Sequence, residues 1–205
     1  SSSGTNGRNT PDEKSKVSSS VPVYNYRLNG ELRGHPKNIE CIVVQHDGKR
    51  VLTACEDETL KYWSIKQQKC LSTLRGHKGA VLACSMFSMA ASVDDSGENA
   101  DTTQGKQRNT YAASGSADKH VRLWKMDVAF KPKSKEDPGG RGWKCEWCFE
   151  NVHEAPVNLL RFSKTGRGKM PRLTSASHDG LVALLCLETM CALAKISCFE
   201  GKPLS

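Results

Sequence analysis

Histidine, hydroxyl and carboxylate side chains recur along this chain in sets whose types suit nucleophilic catalysis. They are His35, Thr53 and Asp57; His77, Ser114 and Asp118; and His153, Ser175 and Asp179. A hydroxyl beside an imidazole that a carboxylate orients is the arrangement of an activated nucleophile. The spacing points to another use. In every set the hydroxyl lies ten residues, and the carboxylate six residues, before one large side chain: Trp63, Trp124 and Leu185. A catalytic constellation is needed once, whereas a device repeated in each unit of chain is an internal strut. Indole N–H only donates, a hydroxyl donates and accepts, imidazole offers two ring nitrogens and a carboxylate accepts. Linked in that order, all four groups are satisfied within one unit, and fully paired buried polar groups fix one geometry. Leu185 has no donor, so the third unit is expected to be held more by packing.

The elements behind these sets follow from the apolar spacing, and an internal repeat has to be read first because it sets the fold. Apolar residues fall four, seven and nine positions after each histidine: Ile39, Ile42 and Val44; Val81, Cys84 and Met86; Val157, Leu160 and Phe162. The alternation over the last two fits a strand with one buried face. Asp47-Gly48 marks a hairpin, since that turn needs positive φ. The pattern predicts strands at 39–45, 50–54, 60–65 and 69–74, at 81–88, 110–114, 121–125 and 144–150, and at 157–163, 172–176, 181–187 and 192–199. The segment "LETMCALAKI" has helical propensity, but its position favours a strand. Strand-like sequence begins near Val23, and "YNYRLNGELRGH" reads as the outer strand of an earlier unit. The tail, residues 1–22, is polar and has too little apolar surface to offset the entropy of ordering.

Composition narrows the function classes. No apolar run approaches the roughly 18 residues that span a bilayer. No glycine-rich phosphate loop precedes a helix, and no nucleophile elbow is present. Nine cysteines is an odd number. Cys41, Cys84 and Cys186 fall in expected strands, where a reduced thiol packs as a small apolar group, which suits a reducing compartment. Cys145 and Cys148 in "CEWC" have the spacing of a zinc pair. No second pair follows at a regular spacing, and the alternation of "WKCEWCFE" reads as an outer strand. Cys41, Trp63 and Cys84 have the wrong strand count between them for an immunoglobulin-type framework, and Trp63 is already explained by the repeat. No metal or other cofactor and no small-molecule substrate are expected.

"RGHKGAVLACSMFS" followed by "AASGSADKHVRLWK", with the Gly34-His35 and Trp63 unit before it, resembles the WD-repeat family. Ser64 and Lys125 stand where the family's closing Asp would be, and the third unit, from Val152-His153 to Leu185, is degenerate. The resemblance covers residues 23–205. It implies an all-β fold of β-propeller blades, each of four antiparallel strands, at about 34–75, 76–150 and 152–199. Propellers have about 4–8 blades. Three to three and a half units therefore imply an incomplete ring, either part of a longer protein or closed by association of copies.

Strand parity places the polar inserts 89–109, 127–143 and 164–171 on one face, opposite the Gly-His turns. The resemblance implies a non-catalytic scaffold for partner proteins in a cytoplasmic or nuclear complex. Its docking face would carry Pro36, Lys37, Glu56, Lys78, Ala117, Glu154 and His178. An alternative comes from the net charge of +8. Arg161, Lys164, Arg167, Lys169 and Arg172 form a basic set suited to RNA phosphates. Against it, aromatic residues are only 6% of the chain and none alternates with the basic residues of the inserts.

Overall fold

The computed structural model describes residues 30–88, 109–127, 129, 131, 139–163 and 170–197. Every regular element among them is a strand. The first sheet holds β1 (Ile39–Val44), β2 (Arg50–Cys55), β3 (Leu60–Ser64) and β4 (Lys69–Leu74). The second holds β5 (Val81–Ser88), β6 (Thr110–Ser116), β7 (Val121–Met126), the two-residue β8 (Gly139–Gly140) and β9 (Trp143–Phe149). The third holds β10 (Val157–Ser163), β11 (Arg172–Ser177), β12 (Leu181–Cys186) and β13 (Cys191–Ser197). Each sheet is an antiparallel meander, with β8 added outside β9. The sheets are open blades, and "LETMCALAKI" is a turn followed by β13.

Two irregularities recur at one place in every repeat. The pairing of β1, β5 and β10 skips Glu40, Leu82 and Asn158, each five residues past its histidine. A second register shift falls beside Trp63, Trp124 and Leu185. Bulges of this kind bend a strand and re-aim its side chains. In β5 and β10 they let one strand bury residues on both sides of the bulge, Val81 with Cys84 and Val157 with Leu160. In β1 the expected buried face is not formed, and Ile39, Ile42 and Val44 are exposed because no sheet among the described residues packs over them.

The sheets pack face to face through two apolar clusters. Leu52, Leu60, Tyr62 and Leu74 of the first sheet meet Val81, Cys84, Ala112, Trp124 and Trp143 of the second. Ala83, Tyr111, Val121, Leu123 and Phe149 meet Val157, Leu160, Leu173, Ala183 and Leu185 of the third. Trp63, Trp124 and Trp143 are among the largest fully buried side chains. Burying a side chain of the Val, Leu or Phe class stabilises by about 1.5–3 kcal/mol, so these two seams dominate the packing energy.

The 89–109 and 164–171 inserts lie mostly outside the described residues, but their flanking pairs, Ser88↔Thr110 and Ser163↔Arg172, are formed. The third insert is bracketed by Met126↔Trp143. All three pairs lie at the sheet ends opposite the histidine-bearing turns. Phe87 and Phe162, near two of these ends, are in ring contact at 5.9 Å.

Two expectations need correcting. The insert at 127–143 is not only loop. Its Gly139 and Gly140 pair with Lys144 and Trp143, and Gly140 lies against the Thr73 and Ser72 backbone and side chain of β4. Gly30–Arg33, read as part of an earlier outer strand, is irregular. No strand among the described residues stands beside it to supply a hydrogen-bond ladder. The rest of that stretch and the 1–22 tail lie outside the described residues.

Candidate functional site

The polar sets converge at one end of each sheet. In the first, His35 Nδ1 lies 2.9 Å from Asp57 Oδ2, and His35 Nε2 lies 2.7 Å from Thr53 Oγ1. The Trp63 indole donates to the same Thr53 oxygen at 2.8 Å. In the second, His77 Nδ1 to Asp118 Oδ2 is 2.8 Å, His77 Nε2 to Ser114 Oγ is 2.7 Å, and the Trp124 indole reaches Ser114 at 2.8 Å. In the third, His153 bridges Asp179 at 3.0 Å and Ser175 at 2.8 Å, and Leu185 offers no donor.

Chemistry fixes the proton order in the second, and the same order suits the first, where the Thr53 hydroxyl also has the Lys61 carbonyl oxygen 3.4 Å away as a second acceptor. Indole only donates and carboxylate only accepts. The hydroxyl therefore receives the indole proton and gives its own to His Nε2, which leaves Nδ1–H to donate to the carboxylate. Such a hydroxyl is buried and already committed on both sides, so it is no nucleophile.

Each aspartate also caps the turn that follows it. Asp57 Oδ1 accepts from the backbone N–H of Thr59, Asp118 Oδ1 from His120 and Asp179 Oδ1 from Leu181. Asp118 and Asp179 further accept from the residue after the histidine, Lys78 and Glu154. Pro36 has no N–H at that place in the first unit, where the Thr59 hydroxyl donates to Asp57 instead, at 2.6 Å. The residue after each aspartate sits at positive φ: Glu58 at 67°, Lys119 at 73° and Gly180 at 78°.

One further position of the strut was not read from the sequence. Two residues before each aspartate stand Cys55, Ser116 and Ser177. Cys55 Sγ donates to the Lys37 carbonyl at 3.4 Å, Ser116 Oγ to Gly79 at 3.0 Å and Ser177 Oγ to Ala155 at 2.9 Å. Each acceptor is two residues past its histidine, and each of these side chains also accepts from the aspartate's own N–H. The constant offset was the available signal, hidden because one copy is a thiol and two are hydroxyls.

That regularity also disposes of the one group of metal-ligating type among the described residues. His35, Cys55 and Asp57 place ligand atoms within 4.8 Å of one another. Both His35 nitrogens are committed to Asp57 and Thr53, and the other two repeats put serine where Cys55 stands. The thiol replaces a strut hydroxyl. Cys145 and Cys148 are no better suited to a metal. Burial pushes both thiols up, Cys148 to about 11, and the Arg122 guanidinium donates to Cys145 at 3.6 Å.

The electrostatics give a pH dependence. Burial pushes the Asp118 carboxyl up, but the His77 ring and the Lys78 and His120 N–H groups outweigh it and hold the carboxyl well below its usual range. Asp57 and Asp179 shift the same way against the same burial. Burial holds the His77 imidazole below its usual range, opposed in part by Asp118. A depressed histidine disfavours the folded state once the unfolded imidazole begins to charge, below its ordinary 6.5. Depressed carboxylates withdraw their contribution further down, as pH falls through 3.8 toward their folded values. Both signs agree, so the urea midpoint is expected to fall from about pH 7.5 to about pH 5.5 and again by about pH 3.5. An unchanged midpoint over the first interval would contradict the assignment of a buried neutral His77.

The docking residues read from the sequence lie on the turns these struts hold. Pro36, Lys37, Lys78, Glu154 and His178 are exposed, whereas Glu56 and Ala117 are half-buried. Of the basic set, Arg161 and Arg172 are exposed on one face of the third sheet, where Arg161 pairs with Thr174 and Ser163 with Arg172. Lys164, Arg167 and Lys169 lie outside the described residues. No helix among the described residues is long and apolar enough to cross a membrane. The eight described cysteines are free thiols.

The family model "WD domain, G-beta repeat" matches residues 26–64 and 106–125. Striatin-4 of Homo sapiens is 29% identical over 165 residues, 75% of this chain and 18% of that protein. The DENN domain and WD repeat-containing protein SCD1 of Arabidopsis thaliana is 27% identical over 162 residues, 74% of this chain and 13% of that protein. Among solved structures, the RRP9 WD40 repeats superpose with a TM-score of 0.55 at 23% identity, covering 80% of this chain and 40% of that one. U3-55K superposes with a TM-score of 0.55 at 22% identity, covering 80% and 41%. The chain thus spans less than a fifth of these relatives' length and about two-fifths of the solved chains.

Proposed function

We propose, from the premise that this chain is a WD-repeat β-propeller protein, that it is a non-catalytic scaffold that holds partner proteins in a cytoplasmic or nuclear complex. The observation that carries this reading is where the reactive side chains go. Every histidine–hydroxyl–carboxylate set is spent inside a sheet, while the turns those sets stiffen hold Pro36, Lys37, Lys78, Glu154 and His178 out to solvent. Recognition commonly sits on loops that a rigid scaffold positions. Lys37, two residues past His35, and Lys78, one residue past His77, lie on corresponding turns of successive repeats, so an acidic partner surface is expected to meet both.

A second reading rests on Arg161 and Arg172, exposed on one sheet face at the base of the basic 164–171 connection. Such a set suits phosphate contact with RNA. The same experiment separates the two. Tagged wild type, Lys37→Glu/Lys78→Glu and Arg161→Glu/Arg172→Glu are compared for co-purified protein and for salt-titrated binding to single-stranded RNA. The scaffold reading expects protein recovery to fall in the first double variant and to persist in the second, with RNA binding weak throughout. No protein retained above the untagged control, or equal retention by all three, defeats it. Tight RNA binding that weakens steeply with salt and is lost only in the arginine variant favours the second reading.

A further inference from the structure

The seam between the first two sheets contains a pair of thiols that the strut system does not use. Cys41 lies on β1 and packs against the cluster that holds Cys84 of β5. Its Sγ donates to the Cys84 carbonyl oxygen at 3.6 Å. The two cysteines thus sit side by side in the seam between β1 and β5. Cys84 is 6% exposed and donates to the Leu52 carbonyl at 3.8 Å, whereas Cys41 is half-buried. The equivalent places at the next seam are Ala83 and Leu160, so this pair belongs to the first seam alone.

We propose that Cys41 and Cys84 form an oxidation site, at which a hydroperoxide closes a disulfide between the first and second sheets. The roles follow from the environments. The contact with Cys84 outweighs burial and holds the Cys41 thiol below its usual range; that contact and burial together push Cys84 far above it. Thiolate is the nucleophile, so Cys41 attacks first. Its sulfur takes the terminal oxygen of hydrogen peroxide, the O–O bond breaks, and the departing hydroxide leaves as water with a proton. Cys41 is then a sulfenic acid. The Cys84 sulfur attacks the Cys41 sulfur and forms S–S as S–O breaks, and the hydroxyl leaves as water with the Cys84 proton. Two thiols and one peroxide give one disulfide and two waters, with both electrons coming from sulfur.

A bridge here ties strands 43 residues apart in sequence and staples one sheet to the next. It restricts the unfolded chain more than the folded one.

The test is made on the folded full chain. The protein is treated with hydrogen peroxide, alkylated and digested with trypsin. Asn38–Lys49 contains Cys41 as its one cysteine, and Gly79–Lys106 contains Cys84 as its one cysteine, so a peptide joining them is unambiguous. The expected product is that joined peptide, two hydrogens lighter than its parts, with an unfolding midpoint raised by oxidation and returned by dithiothreitol. Cys41→Ser removes both effects, and Cys70→Ser, a change to an exposed thiol, keeps them. The proposal is overturned if both peptides stay separately alkylated at a peroxide dose that oxidises exposed Cys70. It is also overturned if oxidation yields only the Cys186–Cys191 pair, whose residues face each other across β12 and β13. The wild-type reading decides the matter even if Cys41→Ser does not fold.

Discussion

Replacing Asp118 by alanine is expected to lower the unfolding free energy by about 3 kcal/mol, and Asp118→Asn to lower it nearly as much. Asp118 is the terminal acceptor of the second set. It takes His77 Nδ1–H at 2.8 Å, Lys78 N–H at 2.9 Å and His120 N–H at 3.0 Å, with its side chain 7% exposed. Alanine leaves three donors facing no acceptor, and a buried donor without a partner carries its full desolvation cost. Asparagine keeps the shape but turns one acceptor oxygen into an NH2 donor. Reversing the His77 tautomer does not rescue it. Ser114 would then accept from both Trp124 and His77 and have its own proton left without an acceptor. Urea denaturation of the three proteins checks this. An asparagine variant as stable as wild type would show that shape, not proton order, holds the second sheet together. The matching change at Asp57 is expected to cost less, about 2 kcal/mol. Pro36 supplies no N–H there, and the Thr59 hydroxyl it would strand is able to turn to water.

The polar strut was legible in the sequence because each member has few possible partners, so its spacing cannot drift. Strand positions were legible because apolar alternation and strut spacing agree. The third unit kept His153, Ser175 and Asp179 but changed two places together. Gly34 stands against the Trp63 ring, where an added Cβ would lie 3.1 Å from the indole edge. In the third unit Val152 replaces that glycine and Leu185 replaces that indole, and both are buried in one cluster. The smaller ring-position side chain makes room for the larger turn-position one. Single-sequence reading registers two losses there, whereas the packing registers one exchange. The Cys55, Ser116 and Ser177 position was missed for a related reason: sulfur and oxygen fill one role under different letters. Strand β8 was not legible at all. Two glycines have no side chains to alternate, so nothing local marks them as a strand. Their conformation is set by the edge of β9 and by a neighbour more than 60 residues earlier in the chain.

That last contact gives the second large effect. Gly140→Ala is expected to destabilise the protein by about 3 kcal/mol, at the upper end of overpacking costs. A Cβ on Gly140 would lie 2.2 Å from the Thr73 carbonyl oxygen, 2.8 Å from its carbon and 2.6 Å from Ser72 Oγ. Two of those three atoms are backbone of β4, which is held by its pairing to β3 and has no rotamer to adopt. Gly140 is not among the glycines at positive φ, so an alanine there meets no conformational objection of its own. Lack of space is the whole of the objection. Gly48 is the opposite case, with φ at 68° and nothing within 4 Å of its added Cβ. Gly48→Ala is therefore a control for backbone strain alone, expected at about 1 kcal/mol. If β8 detaches to relieve the clash, Trp143 loses cover. It is now 1% exposed and in edge contact with Tyr62 at 5.2 Å. Faster hydrogen exchange at Lys144, a red shift in tryptophan emission and a lower urea midpoint should then appear together. If Gly140→Ala proves no more costly than Gly48→Ala, the seam between the first two sheets is looser than these distances require, and β8 is not what closes its outer rim.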